Sequence, residues 1–152
     1  MRTITVTGQS NYQSGSDFEV KARDFFRRTE GWNLRPDFAI DISISDRAHP
    51  HKFDLGSMVP FVLIECKRHT YTKPKGNWPS AKISVWNEAM LFFIAAPEQA
   101  RKILFTLKDV HREKSLAQSY VDRYGHLIPS DVEIWEFDES DDSGYRVHPR
   151  SG

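Results

Sequence analysis

The chain has 152 residues, of which 39% are hydrophobic and 28% are charged. This length fits one domain, because a chain of ~150 residues buries roughly two-thirds of its unfolded surface, and the composition excludes disorder throughout. No segment approaches the ~20 apolar residues of a membrane helix, and the first ten residues lack the apolar centre of a signal peptide. We therefore expect a cytoplasmic protein without membrane contact, and the single cysteine, Cys66, agrees with that compartment.

The formal net charge is +0, so no large uniform field attracts nucleic acid, but the charges are unevenly placed. Residues 66–87 carry five basic side chains and no acidic one, whereas residues 131–142 carry seven acidic side chains and no basic one. A basic run of this kind is either a solvated loop or a surface that meets an anionic partner.

The first half of the chain predicts one helix followed by three strands. Residues 1–15 are polar and are interpreted as an arm, and residues 16–29 place apolar side chains on one helical face (Phe18, Ala22, Phe25 and Phe26). Glu19 borders that face, so its carboxylate can point toward the sheet. Apolar bursts over residues 32–55 predict two short strands on either side of the polar turn at residues 46–51, and residues 58–68 predict the longest strand.

The second half predicts helix, strand, helix and strand. Residues 80–96 are apolar nearly all round and too long for an ordinary strand, so they predict a buried helix that ends before Pro97. Strands are predicted at residues 101–110 and 131–137 with a helix at residues 115–125 between them, and the acidic residues 139–152 are interpreted as a tail. A helix between two strands implies parallel pairing, so we expect an α/β fold with one domain over residues 16–138 and a mixed central sheet flanked by helices.

Two charged residues, Glu65 and Lys67, end the third predicted strand. Residues two apart in a strand share a face, so these two side chains point the same way and Cys66 points to the other face. Burying either charge alone is costly, and the simplest interpretation is a salt bridge at the end of the strand. A second acid, Asp54, favours another interpretation, because a turn across residues 56–60 would bring Asp54 and Glu65 to the same end of an antiparallel pair.

Two carboxylates a few ångströms apart repel each other, and a hard divalent cation with a preference for oxygen ligands relieves that repulsion. Asp54 and Glu65 are therefore candidate ligands of Mg²⁺, for which Mn²⁺ can substitute, and the main-chain carbonyl of Cys66 can add a third ligand. Such an ion stabilises charge on a phosphate and lowers the pKa of a bound water. Lys67 can orient that water, help to deprotonate it, or neutralise the developing charge.

The segments "FDLGS" and "VLIECK" together resemble the PD-(D/E)xK motif of the restriction-endonuclease-like nuclease superfamily. Asp54 matches the first acid, Glu65 the second and Lys67 the lysine, while Phe53 stands where the motif has proline. Members of the superfamily usually carry a glutamate on the helix before the first strand, which is the place of Glu19. The resemblance implies a restriction-endonuclease-like αβββαβ core over residues 16–108 and a Mg²⁺-dependent endonuclease that cleaves DNA, and "EGWNLR" and "IECKR" are similar to Holliday-junction resolvases.

The loop after the motif mixes basic and aromatic residues, as nucleic-acid-contacting loops often do. The candidates for phosphate contact are five basic side chains: Arg68, His69, Lys73, Lys75 and Lys82. Lys82 opens the buried helix, where the N-terminal dipole also favours an anion. The alternative is a solvated loop. His49 and His51 have a spacing that suits a transition metal, but a turn with two exposed histidines is the favoured interpretation.

Three functions remain open at this point. The first is the metal-dependent deoxyribonuclease, which needs no organic cofactor and for which a homodimer is an option, because duplex cleavage needs two sites. The second is a nucleic-acid-binding module of the same fold with little or no activity, acting with a partner. The third is a structural protein in which Glu65 and Lys67 merely pair.

Overall fold

The computed structural model describes the backbone of residues 7–150 and the side chains of residues 17–150. Its helices are α1 (Thr7–Glu30), α2 (Ser80–Ala95) and α3 (Leu116–Tyr124), followed by a short 3-10 turn (Gly125–Leu127). Its strands are β1 (Arg35–Ile42), β2 (His49–Met58), β3 (Phe61–Lys67), β4 (Arg101–Leu107), β5 (Val110–His111), β6 (Lys114–Ser115), β7 (Val132–Asp138) and β8 (Ser143–His148). The chain is therefore an α/β protein, as the sequence predicts.

Six strands form a mixed sheet in the order β1-β2-β3-β4-β7-β8, and β5 pairs with β6 in a small separate hairpin. The three central strands, β3, β4 and β7, run parallel, and the strands outside them are antiparallel to their neighbours. Helices α2 and α3 connect the parallel strands, since a parallel connection needs a crossover. The carboxyl ends of β3, β4 and β7 consequently meet at one edge of the sheet.

Each face of the sheet buries its own hydrophobic core. On one face, α1 packs through its predicted apolar stripe onto alternate residues of the central strands, which include Ile64, Phe105 and Phe137. On the other face, α2 and α3 cover Leu63, Leu104 and Ile134, and α2 contributes Trp86 and Phe93. Helix α2 is apolar nearly all round because its partly exposed side also carries apolar residues, among them Leu91 and Ile94.

The hairpin of β2 and β3 is the element that positions the predicted motif. Four residue pairs join the strands, from Met58 with Phe61 at the turn to Leu55 with Ile64 at the far end. Gly56 is required here, because a Cβ atom at this position would lie 2.4 Å from the ring of Phe38 on β1. The third predicted strand is shorter than expected, since Val59 and Pro60 form the turn and the strand ends at Lys67.

Two predictions about the ends of the chain are wrong. Part of the predicted N-terminal arm is helical, because α1 begins at Thr7; residues 1–6 of that arm lie outside the described residues. A polar segment lacks an apolar stripe, yet it can extend a helix that has already nucleated. The predicted acidic tail contains β8. In the turn before it, Asp138 accepts a hydrogen bond from the backbone of Ser140, and Asp141 accepts one from Ser143, the first residue of β8.

Residues 7–150 contain no helix that is long and apolar enough to cross a membrane.

Candidate active site

Asp54 and Glu65 lie just beyond the last pair of the β2–β3 hairpin, at its end away from the turn. The backbone N–H of Cys66 donates a hydrogen bond of 2.7 Å to Oδ2 of Asp54. The Asp54 side chain therefore reaches across to β3 and contacts the residue between Glu65 and Lys67. The fold brings together the two acids that the sequence separates by ten residues.

Glu65 is a buried carboxylate, only 5% exposed, with two basic neighbours. Nζ of Lys67 lies 3.9 Å from its Oε2, and Nε2 of His51 lies 3.4 Å from its Oε1. Burial raises the pKa of Glu65 from 4.5 to about 8, and the charge of Asp54 adds to the rise, while Lys67 opposes it. Lys67 thus shares a face with Glu65, as the two-residue spacing predicts, but it does not fully compensate the buried charge.

Glu19 meets these residues from helix α1. Burial raises its pKa from 4.5 to about 7, with further contributions from the charges of Asp54 and Asp37 and from a hydrogen bond with the Asp54 side chain. The pKa of Asp54 is also raised, first by burial. We call these four carboxylates the acidic cluster: Glu19, Asp37, Asp54 and Glu65. Their mutual repulsion is the electrostatic situation that a divalent cation relieves.

Asp37 was not predicted from the sequence. The β1–β2 ladder pairs Pro36 with Leu55 and Phe38 with Phe53, so Asp37 and Asp54 fall opposite each other where the ladder is interrupted. Asp37 has a φ angle of 49°, a left-handed conformation that aspartate tolerates better than most residues. The register between β1 and β2 decides this contact, and no local motif around Asp37 reports that register.

His51 corrects the prediction of two exposed turn histidines. His49 is exposed, but His51 lies on β2, half-buried, with its ring stacked on Phe92 at 3.9 Å between centroids. Burial lowers the pKa of His51, and the positive charge of Lys67 acts in the same direction. A neutral imidazole with Nε2 toward Glu65 can share a proton with that carboxyl group. The signal that the sequence offers is the alternation of His49, His51 and Phe53 along one strand.

Lys67 and Lys82 form the basic side of the site, with the imidazole of His69 beside them. Burial lowers the pKa of His69 to about 4, and the nearby positive charges of Lys67 and Lys82 contribute to that shift. Nε1 of Trp86 donates a hydrogen bond of 2.8 Å to Nδ1 of His69, which fastens the start of the loop to α2. His69 is therefore neutral at pH 7 and serves as an anchor rather than as a cation.

The remaining predicted phosphate contacts are dispersed. Arg68 points to the α1 side of the sheet, where its guanidinium lies 3.2 Å from Glu139, which also pairs with Lys21. Lys73 and Lys75 are exposed in the loop between β3 and α2, and neither is among the main charges that shift the pKa values of Glu19, Asp54 and Glu65. The backbone N–H and the hydroxyl group of Thr72 both donate hydrogen bonds to the carbonyl of Asn77 within the loop. The loop is also held by Tyr71, whose hydroxyl group contacts Ser119.

Cys66 turns its side chain toward the α1 face, as predicted from the strand alternation. Burial and the neighbouring carboxylates raise the pKa of its thiol, so it remains protonated. No group of three or more His, Cys, Asp or Glu side chains within residues 17–150 is arranged so that it could hold a metal ion. Mg²⁺ commonly takes only one or two carboxylates and completes its shell with water and phosphate oxygens, and Asp54 with Glu65 fits that smaller donor set.

Comparisons with known proteins give no relative from which a function can be transferred. No protein-family model, no curated protein and no solved structure matches the chain. The functional argument therefore depends on the chemistry of the acidic cluster and of the basic residues beside it.

Proposed function

We propose that the protein is a metal-dependent nuclease that hydrolyses DNA phosphodiester bonds at the acidic cluster. The observation that carries the proposal is the meeting of Asp54 and Glu65, from two strands, with Lys67 3.9 Å from Glu65. Two acids and a lysine on one sheet edge are also the pattern in which the sequence resembles the PD-(D/E)xK nucleases. A restriction-endonuclease-like core is part of the same proposal.

Asp54 and Glu65 would hold Mg²⁺ or Mn²⁺, and the main-chain carbonyl of Cys66 is proposed as a further ligand. When bound, the ion supplies positive charge beside the phosphate and acidifies a water molecule. The raised pKa values of Glu19 and Glu65 support this assignment. Carboxyl groups that stay protonated without a cation are expected to release their protons to solvent when a cation binds.

The other side chains have separate tasks in the proposed reaction. Lys67 donates hydrogen bonds to the attacking water or to the phosphate, where charge develops. Glu19, whose side chain is hydrogen-bonded to that of Asp54, lies beside the proposed ligands, where a carboxylate can accept a proton from that water. Lys82 lies on the first turn of α2, where its ammonium group and the helix N-terminus both favour a phosphate.

A cleavage screen tests the proposal. The protein is incubated with Mg²⁺ or Mn²⁺ and with plasmid, single-stranded, branched and RNA substrates. We expect cleavage of at least one DNA substrate, loss of that cleavage in Asp54→Asn, Glu65→Gln and Lys67→Ala, and unchanged cleavage in Glu98→Gln. Glu98 is a matched control because it is an exposed carboxylate between α2 and β4, outside the acidic cluster. Cleavage that survives all three substitutions would refute the assignment of the site.

Metal binding is measured separately by calorimetric titration with Mg²⁺ and Mn²⁺. If the unchanged protein binds the metal, Asp54→Asn does not, and no substrate is cleaved, the protein has a metal site but is not a nuclease. Retardation of a nucleic acid in a gel without metal binding would favour the inactive binding module. A folded protein that binds neither would favour the simple ion pair of Glu65 with Lys67.

A further inference from the structure

A polar cavity lies on the same face of the sheet as Glu65 and Lys67. Lys67 pairs with Thr106 on β4, and Thr106 pairs with Glu136 on β7, so the three residues form one row across the sheet. Residues in one row of parallel strands point to the same face, and neighbouring strands are ~4.8 Å apart. The backbone of Glu136 is therefore about 10 Å from that of Lys67. The proposed hydrolysis uses no residue of this cavity.

Glu136 is the unusual residue of the cavity. Its side chain is 2% exposed and lines a space of about 510 Å³. Oε2 accepts a hydrogen bond from the hydroxyl group of Tyr145, whereas Oε1 accepts none from any residue between 17 and 150. A buried carboxylate oxygen without a donor is costly, and such atoms usually meet a water molecule or a ligand. Glu136 thus lines the cavity with a carboxyl group whose buried Oε1 lacks the N–H or O–H donor that such an atom requires.

The rest of the lining suits an anion. Lys108, Lys114 and Arg150 contribute basic side chains to the wall, against two carboxylates, Glu113 and Glu136. Lys114 lies beside the exposed Asp122, which is also within the electrostatic reach of Arg150. The side chains of Val110 and Val147 add apolar surface. A ligand that fits must combine a donor group, a flat or apolar part and a negative charge, and the volume is in the range of small-molecule sites.

We propose that this cavity binds a nucleotide, with the base at Glu136 and the phosphate at Lys114 and Arg150. Guanine fits best, because its N1–H and exocyclic amine are adjacent donors that match a carboxylate. Thymine fits worst, because its single N3–H is flanked by two carbonyl oxygens that a carboxylate repels. The nucleotide is either free in solution or a unit of a nucleic-acid strand, and both present the same groups to the cavity.

The test is calorimetric titration of the full chain with dGMP and with TMP in EDTA, so that no cleavage intervenes. We expect dGMP to bind at least tenfold more tightly than TMP. Arg150→Ala should weaken dGMP binding about tenfold, whereas Lys75→Ala, an exposed lysine outside the cavity, should leave it unchanged. Asp122→Asn should strengthen binding severalfold, because it frees Lys114 and Arg150 for the phosphate.

Glu136→Gln should remove most of the preference for dGMP over TMP, since the amide is neutral and can turn a donor toward thymine. Arg150→Ala and Asp122→Asn are surface changes, so their opposite effects remain informative if Glu136→Gln unfolds. Lys67→Ala should bind dGMP as the unchanged protein does, which separates this cavity from the proposed active site. The absence of dGMP binding, or equal affinity for dGMP and TMP, would overturn the proposal.

A second titration distinguishes the sources of the nucleotide. The single-stranded trinucleotides d(TGT) and d(TTT) are compared with dGMP under the same conditions. Tighter binding of d(TGT) than of both d(TTT) and dGMP would identify a unit of a strand. Binding of dGMP that exceeds the binding of d(TGT) would identify a free nucleotide.

Discussion

Glu65→Gln is the substitution that most sharply separates a metal site from a structural ion pair. In the folded chain, burial and the charge of Asp54 raise the pKa of Glu65 from 4.5 to about 8. A carboxyl group whose pKa is higher in the folded state favours folding while it is protonated. Its contribution is complete below pH 4.5 and is lost as the pH rises through about 8. Glutamine resembles the protonated acid in shape and lacks the charge at every pH.

The size of the effect follows from the same pKa values. A rise from 4.5 to about 8 corresponds to about 5 kcal/mol at most, because each tenfold change in the proton equilibrium is worth ~1.4 kcal/mol. Glutamine keeps only part of the contacts to Lys67 and His51, which offsets some of the gain. We therefore expect Glu65→Gln to be more stable than the unchanged protein by about 2–4 kcal/mol at pH 8.5 and nearly equal to it at pH 5.

Urea unfolding of both proteins in EDTA at pH 5 and pH 8.5 measures this difference. The comparison between the two proteins cancels the titrating groups that do not interact with Glu65, such as His69, which are common to both. Glu98→Gln serves as the control and should follow the unchanged protein at both pH values, because Glu98 is exposed. A Glu65→Gln protein that is less stable than its parent by the same amount at both pH values would refute the reasoning. That result would show that Lys67 and His51 stabilise an ionised Glu65, as in a structural ion pair.

Three further predictions concern the surroundings of the site. Gly56→Ala should cost about 1–3 kcal/mol of unfolding free energy, because its Cβ would lie 2.4 Å from the ring of Phe38; urea unfolding checks this, and Phe38→Leu in the same chain should recover part of the loss. The pKa of His69 is lowered to about 4 in the folded state, so the unfolded chain takes up the proton first as the pH falls. The free energy of unfolding should therefore fall by about 1–2 kcal/mol between pH 7 and pH 5. His69→Gln, whose amide oxygen can still accept the bond from Trp86, should show no such loss, and an unchanged slope would contradict the assignment. Asp37→Asn should lower the pKa of Glu19 in the metal-free protein, because the charge of Asp37 raises that pKa; NMR titration of the Glu19 carboxyl group in EDTA measures it, and an unmoved pKa would contradict the place of Asp37 in the acidic cluster.

The sequence predicts the centre of the fold well because apolar periodicity is strong there. The α1 stripe that begins at Phe18, the all-round apolar α2 and the strands at residues 61–67, 101–107 and 132–138 all lie where the pattern places them. The ends of the chain give weaker signals. Residues 7–15 lack an apolar face, and the acidic turn before β8 hides a short edge strand whose residues are polar or only partly buried.

The candidate site shows the same division between local and non-local information. The pair of Glu65 and Lys67 follows from strand alternation, and the approach of Asp54 follows from one tight hairpin. The contact of Asp37 depends on the register of β1 against β2, which no short stretch of sequence reports. The alternation of His49, His51 and Phe53 indicates the face of His51 but not its packing against Phe92. The sequence predicts His69 as a phosphate contact. Burial against α2 keeps its imidazole neutral, and only the tertiary structure reveals that burial.

The hydrogen bond between Cys66 and Asp54 explains how an edge of the sheet can hold repelling acids in place. Beyond Leu55 and Ile64 the β2–β3 ladder has no further paired residues, so the backbone N–H of Cys66 is available to a side chain. Asp54 accepts that bond at 2.7 Å, which fixes its carboxylate against the strand that carries Glu65. The bond lowers the pKa of Asp54, yet burial outweighs it and the net shift is upward. The backbone therefore orients the Asp54 carboxylate without neutralising it. Asp54 is already positioned beside the strand that carries Glu65 before a cation binds.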